Sequence, residues 1–258
     1  MLSYQHVFHA GNLADLHKHA LLAWMLTYLT QKPKPLSYIE THAGRGLYHL
    51  DDPQSLKTGE AAAGITRALA EGWLPDDHPL IRTVKALRLF YGPDAYAGSP
   101  LIAEHLLRPD DKMHLAEFHP GEIEHLAEAV PDAHLYHQDG FAMANAVCPP
   151  MPRRGMMLID PSFELKSDYD TIPRFIAQIA RKWNVGIIAL WYPLLRDARH
   201  KAMLSALAAE FPEALRHEVQ FPPARDSHGM IGSGMFVVNA PFGMADETAR
   251  LDEIFARL

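Results

Sequence analysis

Residues 155–163, GMMLIDPSF, constrain this chain more than any other stretch. A half-exposed strand alternates polar and apolar residues, so the unbroken run Met156, Met157, Leu158, Ile159 requires a parallel strand covered on both faces. The run stops at Asp160, which sets a carboxylate at the carboxyl end of a central strand, followed by Pro161 and, two places on, Phe163. That edge is where open α/β sheets hold ligands. An acceptor and a stacking ring there make Asp160, Pro161 and Phe163 the first candidates for a reacting site.

The remaining chain supplies neighbours for that strand. LSYIE, KMHLAEF, AHLYHQ, VGIIALWY, LRHEVQF and GMFVVNA read as six further strands, separated by segments with helical spacing. The first helix, residues 13–31, follows Asn12, a side chain suited to capping it. Alternation of this kind predicts an α/β fold with a seven-stranded, mainly parallel sheet covered on both sides. The last two strands lack a long helix between them and are expected to form an antiparallel hairpin. Residues 50–98 break the rhythm: short helices between prolines and glycines, with no strand, suggest a small helical insertion splitting one domain into 1–49 and 99–258.

Charge and composition narrow the partners. At 258 residues and 48% hydrophobic content the chain can bury a large core, yet no run approaches a membrane-spanning length of about 18 apolar residues. The amino-terminal residues carry neither a basic start nor an apolar signal core, and a cytoplasmic location is expected. Cys148 is the single cysteine, so an internal disulfide or a multi-thiolate zinc site is excluded. The net charge of −7 requires any nucleic-acid face to be local. Residues 108–145 hold two basic against eight acidic side chains, whereas residues 152–201 hold nine against five, with Arg153, Arg154 and Lys166 flanking the DPSF stretch. Solvated helix faces account for such a pattern equally well.

Two more strand ends and one turn carry ligand-type residues. THAGRG places Gly44 and Gly46 directly after a strand, where positive φ and close backbone approach suit a nucleotide-type cofactor. Glu117 ends the next parallel strand, where it can accept from both ribose hydroxyls, and Asp139 and Gly140 end the one after. The dinucleotide spacing G-x-G-x-x-G fails, because His49 stands where the third glycine should be, so S-adenosylmethionine suits the turn better than a nicotinamide cofactor. Sixteen histidines, among them His6, His9, His17, His19 and His42, come without a metal-binding spacing, and no metal is expected. His105, His125, His200 and His217 are read as structural. Ser233 lies in GMIGSG, which is not a nucleophile elbow.

DPSF, HAGN near the start and THAGRG after the first strand resemble the bacterial large-subunit (23S) rRNA adenine-N6 methyltransferase J family, which has also been linked to the use of external DNA as a nutrient. The resemblance runs nearly end to end, through GSPLIA, LAEFHP, QDGF, RRGMMLIDPSFE, ALWYP and SGMFVVNAPF in the family's order. It implies a Rossmann-like class I methyltransferase fold with a small helical insertion, using S-adenosylmethionine and acting as a monomer on 23S ribosomal RNA. By position, His19, His42, Ser99, Glu117, Asp139 and Gly140 would line the cofactor with Lys18 close by, and Asp160 would be catalytic. The family's DPPY is DPSF here, so Ser162 replaces a proline and Phe163 a tyrosine, keeping the ring but not its hydroxyl.

The target base must leave its helix to reach such a pocket, where Phe163 would stack on it, with Tyr4, Ser162 and Lys166 as further substrate contacts. Three other readings make different predictions. A methyltransferase acting on DNA or on another amine or amide shares the motif. A non-catalytic nucleic-acid-binding protein would keep the fold and transfer no methyl group. A nucleotide-dependent oxidoreductase would bind a different cofactor.

Overall fold

A computed structural model describes residues 5–222 and 229–258. The candidate Tyr4 lies outside the described residues. Helix α1 (Leu13–Thr30) begins where Asn12 Oδ1 accepts from the Asp15 amide at 2.9 Å, which satisfies one of the free N–H groups of the first turn. Strand β1 (Ser37–Glu40) follows, then a short strand β2 (Leu47–His49), helices α2 (Pro53–Thr58), α3 (Arg67–Glu71) and α4 (Pro79–Tyr91), and strand β3 (Ala95–Ala97). From there α5 (Ser99–Leu106), β4 (Lys112–Ala116), α6 (Pro120–Ala129), β5 (His134–Tyr136), α7 (Gly140–Val147) and β6 (Gly155–Ile159) alternate. The chain ends with α8 (Asp168–Lys182), β7 (Ile187–Leu195), α9 (His200–Glu210), β8 (Leu215–Gln220), β9 (Met230–Val238) and α10 (Met244–Phe255).

Seven strands form one sheet in the order β5-β4-β1-β6-β7-β9-β8. The first five are parallel, and β9 runs antiparallel to both β7 and β8. This is the Rossmann-like class I methyltransferase architecture. Strand β6 is buried along its whole length, as its unbroken apolar run requires. The chain leaves β1 in one direction to β4 and β5, then returns to its other side at β6. That reversal opens a crevice above the carboxyl end of β1.

One apolar cluster packs α1, α4, α5 and α10 on one sheet face, and a second packs α7, α8 and α9 on the other. Residues 50–98 do contain a strand, contrary to the sequence reading: β3 pairs antiparallel with β2, outside the main sheet. Three residues, Ala95, Tyr96 and Ala97, are too few to show a strand period in the sequence. This segment shares the core of α1 through Leu80, Ile81, Val84 and Leu87. Its backbone touches the entrance of α1, where a Cβ on Gly64 would stand 2.1 Å from the Gly11 carbonyl oxygen. Among the described residues no helix is long and apolar enough to cross a membrane.

Candidate active site

Sheet register brings the ligand-type residues to one edge. Ile159 pairs with Leu190 and Glu40 with both Leu115 and Leu158, so Asp160, Thr41 and Ala116 stand at neighbouring strand ends, level with Trp191 inside the longer β7. Asp160 reaches across to α1, where Lys18 Nζ lies 2.5 Å from its Oδ2. The same ammonium is 3.0 Å from Asp15 Oδ1. Asp15 Oδ2 in turn accepts from the Gly11 amide at 2.9 Å and meets His6 Nε2 at 2.9 Å.

Burial opposes charge on Lys18, but the Asp15 and Asp160 carboxylates outweigh it and hold the ammonium above its ordinary range. Burial also opposes charge on Asp15, and His6, Lys18 and His19 together pull its carboxyl well below the ordinary range. A buried ionic row thus joins the entrance loop, α1 and the end of β6.

A second buried carboxylate lies beneath this row. Glu40, fully enclosed at the end of β1, accepts from Tyr38 Oη at 2.8 Å and from Ser99 Oγ at 2.5 Å. Its burial outweighs both hydroxyl donors and raises its carboxyl to about 8. His19 Nδ1 meets Tyr96 Oη at 2.7 Å, and burial, reinforced by Lys18 and His6 against the pull of Asp15, lowers the imidazole to about 3. The neutral ring leaves Nε2 buried with no hydrogen-bond partner among the described residues. His42 packs edge-on against Phe141, meets Thr41 Oγ1 at 2.8 Å through Nδ1, and is lowered to about 4 by burial.

The turn after β1 is fixed by the acid at the end of β4. Gly44, at φ +65°, donates its amide to Glu117 Oε2 at 2.8 Å, and the His119 amide donates to Oε1 at 2.7 Å. A carboxylate has about four lone-pair sites, so Glu117 keeps acceptor capacity for a ligand. Asp139 caps α7 by accepting from the Ala142 amide at 2.8 Å. Gly140 crosses the end of β1 so closely that a Cβ there would stand 1.8 Å from the Thr41 carbonyl oxygen.

The DPSF loop places Phe163 in the left-handed region at φ +54°, its ring buried 4.9 Å from Tyr169 and 6.1 Å from Trp191. Pro161 is buried, Ser162 half-buried and Lys166 exposed.

The sequence-predicted residues therefore divide. Lys18 and Asp160 are in direct contact, as are Gly44 and Glu117, while Ser99 is tied to Glu40. Lys166 stands on the outer surface of the same loop. Three participants escaped the sequence reading. Asp15 could have been found by its i,i+3 spacing to Lys18. Trp191, inside the longer strand β7 beside β6, is level with Asp160 and sits under the Lys18 ammonium, 5.7 Å from ring centre to Nζ. Phe118, next to Glu117, is 63% exposed at the crevice edge. Among the described residues no group of three or more His, Cys, Asp or Glu side chains is arranged to hold a metal ion.

The family model for "Ribosomal RNA large subunit methyltransferase D, RlmJ" matches residues 33–257. A relative from Escherichia coli strain K12 named "Ribosomal RNA large subunit methyltransferase J" is 39% identical over 256 residues, covering 96% of this chain and 90% of its own. One of the same name from Haemophilus influenzae is 40% identical over 250 residues, covering 94% and 88%. A crystal structure of a Legionella pneumophila protein superposes with a TM-score of 0.86 at 34% identity, covering 95% of this chain and 92% of that one. With matches of this length and identity, the chain belongs to the ribosomal RNA large subunit methyltransferase J family.

Proposed function

We propose that this protein methylates N6 of a specific adenine in 23S ribosomal RNA, using S-adenosylmethionine, as a monomer in the cytoplasm, with residues 50–98 inserted into the methyltransferase domain. The observation that carries this reading is the Asp160 carboxylate at the end of the buried strand β6, pinned at one oxygen by Lys18 and followed at once by Pro161. The cradle suits the cofactor. Glu117 has lone pairs left for ribose hydroxyls, Nε2 of His19, unpartnered among the described residues, offers a hydrogen bond, and Gly140 keeps the floor free of a side chain. His42, Ser99, Asp139 and Lys18 complete the proposed lining. When bound, S-adenosylmethionine supplies an electrophilic methyl group.

The protein's own contribution is positioning. An exocyclic adenine amine is a weak nucleophile because its lone pair is delocalised into the ring. With Oδ2 occupied by Lys18, Asp160 offers Oδ1 to one N–H, and the Pro161 carbonyl takes the other. Two acceptors on those protons favour the geometry in which the lone pair leaves the ring plane, and gains from such positioning are large. As the nitrogen becomes cationic, Oδ1 of Asp160 is placed to receive its proton. Phe163 is assigned to stacking on the extruded base, which calls for its ring to turn from Tyr169. Ser162 and Lys166 contact the flanking RNA.

Transfer of labelled methyl to 23S rRNA from cells lacking the modification tests the reading, with Asp160→Ala as control. Labelled N6-methyladenine that disappears in the variant is expected. Tight cofactor binding with no transfer to RNA would overturn it and favour a DNA or amide substrate, or a protein that binds nucleic acid without catalysis.

A further inference from the structure

A second chain of buried polar groups, separate from the Lys18 row, ends on the same active-site wall. Trp191 Nε1 lies 2.9 Å from Ser233 Oγ, and Ser233 Oγ lies 2.8 Å from His17 Nδ1. His17 Nε2 lies 2.9 Å from His217 Nδ1, and His217 Nε2 lies 3.0 Å from Asp252 Oδ1. The groups belong to β7, β9, α1, β8 and α10, so the chain crosses the protein from the crevice to its outer surface. His17 and Ser233 are completely enclosed, and His217 is 6% exposed.

With both imidazoles neutral, one assignment of protons satisfies every atom. An indole N–H only donates, so Ser233 Oγ accepts from Trp191 and passes its own proton toward His17 Nδ1. His17 Nε2–H then donates to His217 Nδ1, and His217 Nε2–H donates to the Asp252 carboxylate. The opposite direction would aim a lone pair of neutral His217 at that carboxylate. Burial lowers His17 well below the ordinary imidazole range, which agrees with a neutral ring.

Trp191 is where this chain meets the chemistry. Its ring lies 6.1 Å from Phe163 and 5.7 Å from the Lys18 ammonium, which itself holds Asp160. An indole with a free N–H could rotate about its side-chain bonds. One anchored at Nε1 presents a fixed face to both groups. Because His17 and Lys18 are consecutive, about 100° apart around α1, the anchor on one sets the helix rotation that aims the other.

We propose that Ser233 and His17 are positioning residues for methyl transfer: their hydrogen-bond chain holds Trp191, and through it Phe163 and Lys18, in the reactive arrangement. The catalytic half of this proposal rests on the function proposed above, and its test carries a readout that does not. Three variants separate a positioning role from a structural one. Ser233→Ala removes the acceptor for Trp191. His17→Asn keeps an acceptor at the Nδ1 position and loses the link to His217, whereas His17→Gln keeps a donor at the Nε2 position and loses the link to Ser233.

In protein labelled with 15N at its four tryptophans, the Trp191 indole peak, assigned by Trp191→Phe, is expected to move in Ser233→Ala and His17→Gln and to stay in place in His17→Asn. In the same two variants kcat should fall about tenfold (~1.4 kcal/mol), with KM for RNA and Kd for S-adenosylmethionine unchanged within about twofold. His17→Asn should retain kcat even where its Tm falls as far as that of His17→Gln. An unmoved Trp191 peak in Ser233→Ala overturns the proposal, as does a fall in kcat equal in His17→Asn and His17→Gln. Absence of transfer by the wild type overturns the function reading alone, and the indole peaks then decide the hold on Trp191.

Discussion

Lys18→Met keeps an unbranched stem and removes the one positive charge between two carboxylates. The ammonium lies 3.0 Å from Asp15 and 2.5 Å from Asp160, and Asp15 is almost fully enclosed. Taking one partner from a buried ionic group costs about 3–5 kcal/mol, because the remaining charge has no compensation. In a protein of this size each kcal/mol lowers Tm by about 2–4 °C, so a drop of at least ~6 °C is expected at neutral pH.

The loss has a pH signature. Wild-type Asp15 is ionised with a depressed folded value, in spite of its burial, because of His6, Lys18 and His19. A group of that kind contributes stability that is present above its unfolded value, about 3.8–3.9, and lost as pH falls through the folded value. Without Lys18 the burial penalty meets less opposition, and Asp15 takes up a proton at higher pH than in the wild type. The gap between the two proteins therefore widens as pH rises from about 4 to 7 and narrows below that. Thermal unfolding followed by circular dichroism across this range measures it. Asp15→Asn in the Lys18→Met background should recover part of the loss. A Tm within about 2 °C of the wild type at every pH, or strict additivity of the two substitutions, would refute the reasoning.

Glu40, raised to about 8 by burial, makes the opposite prediction. A carboxyl raised in the fold contributes stability that is full below its unfolded value, about 4.3, and is lost as pH rises through the folded one. Wild-type Tm should decline between about pH 5 and 8, and Glu40→Gln should flatten that slope, a pH series of melts being sufficient to see it. Gly140→Ala would bring a Cβ to 1.8 Å from the Thr41 carbonyl oxygen, so β1 and α7 must separate. A loss of about 1–3 kcal/mol in urea unfolding is expected, together with weaker S-adenosylmethionine binding by calorimetry, and unchanged values of both would show that the contact is not rigid.

The extent to which the sequence announced this site follows from the range of each interaction. The runs MMLI and IIAL expose parallel strands because burial on both faces leaves a local record, and Asn12 announces a helix start because a cap acts over three residues. The strand-end acids were legible for the same reason: chain direction alone places them at the rim. The ionic row and the Trp191 chain were not. Lys18 meets a carboxylate 142 residues away, and His17 meets a serine 216 residues away, so nothing near either residue in the chain reveals its partner. β3 was missed for a different reason, since a three-residue strand shows no period.

Helix α1 explains both what the sequence hid and how the site is held. It buries Asp15, His17, Lys18 and His19 within five residues, a pattern that defeats any search for one apolar face. A helix turns about 100° per residue, so adjacent side chains must leave in different directions. Asp15 takes the entrance loop, His17 takes β8 and β9, Lys18 takes the end of β6, and His19 takes Tyr96 of β3. Each of these side chains is held by a different element, and a shift of α1 that improved one contact would loosen the others. The end of β6 is thereby referred to the small ribbon, the antiparallel edge of the sheet and the entrance loop at once. A DLHKH run within an apolar helix is therefore best read as a set of anchors pointing to different parts of the fold. Disturbance at the distant Ser233 should consequently reach Asp160 through α1 and Trp191, although no atom of Ser233 touches it.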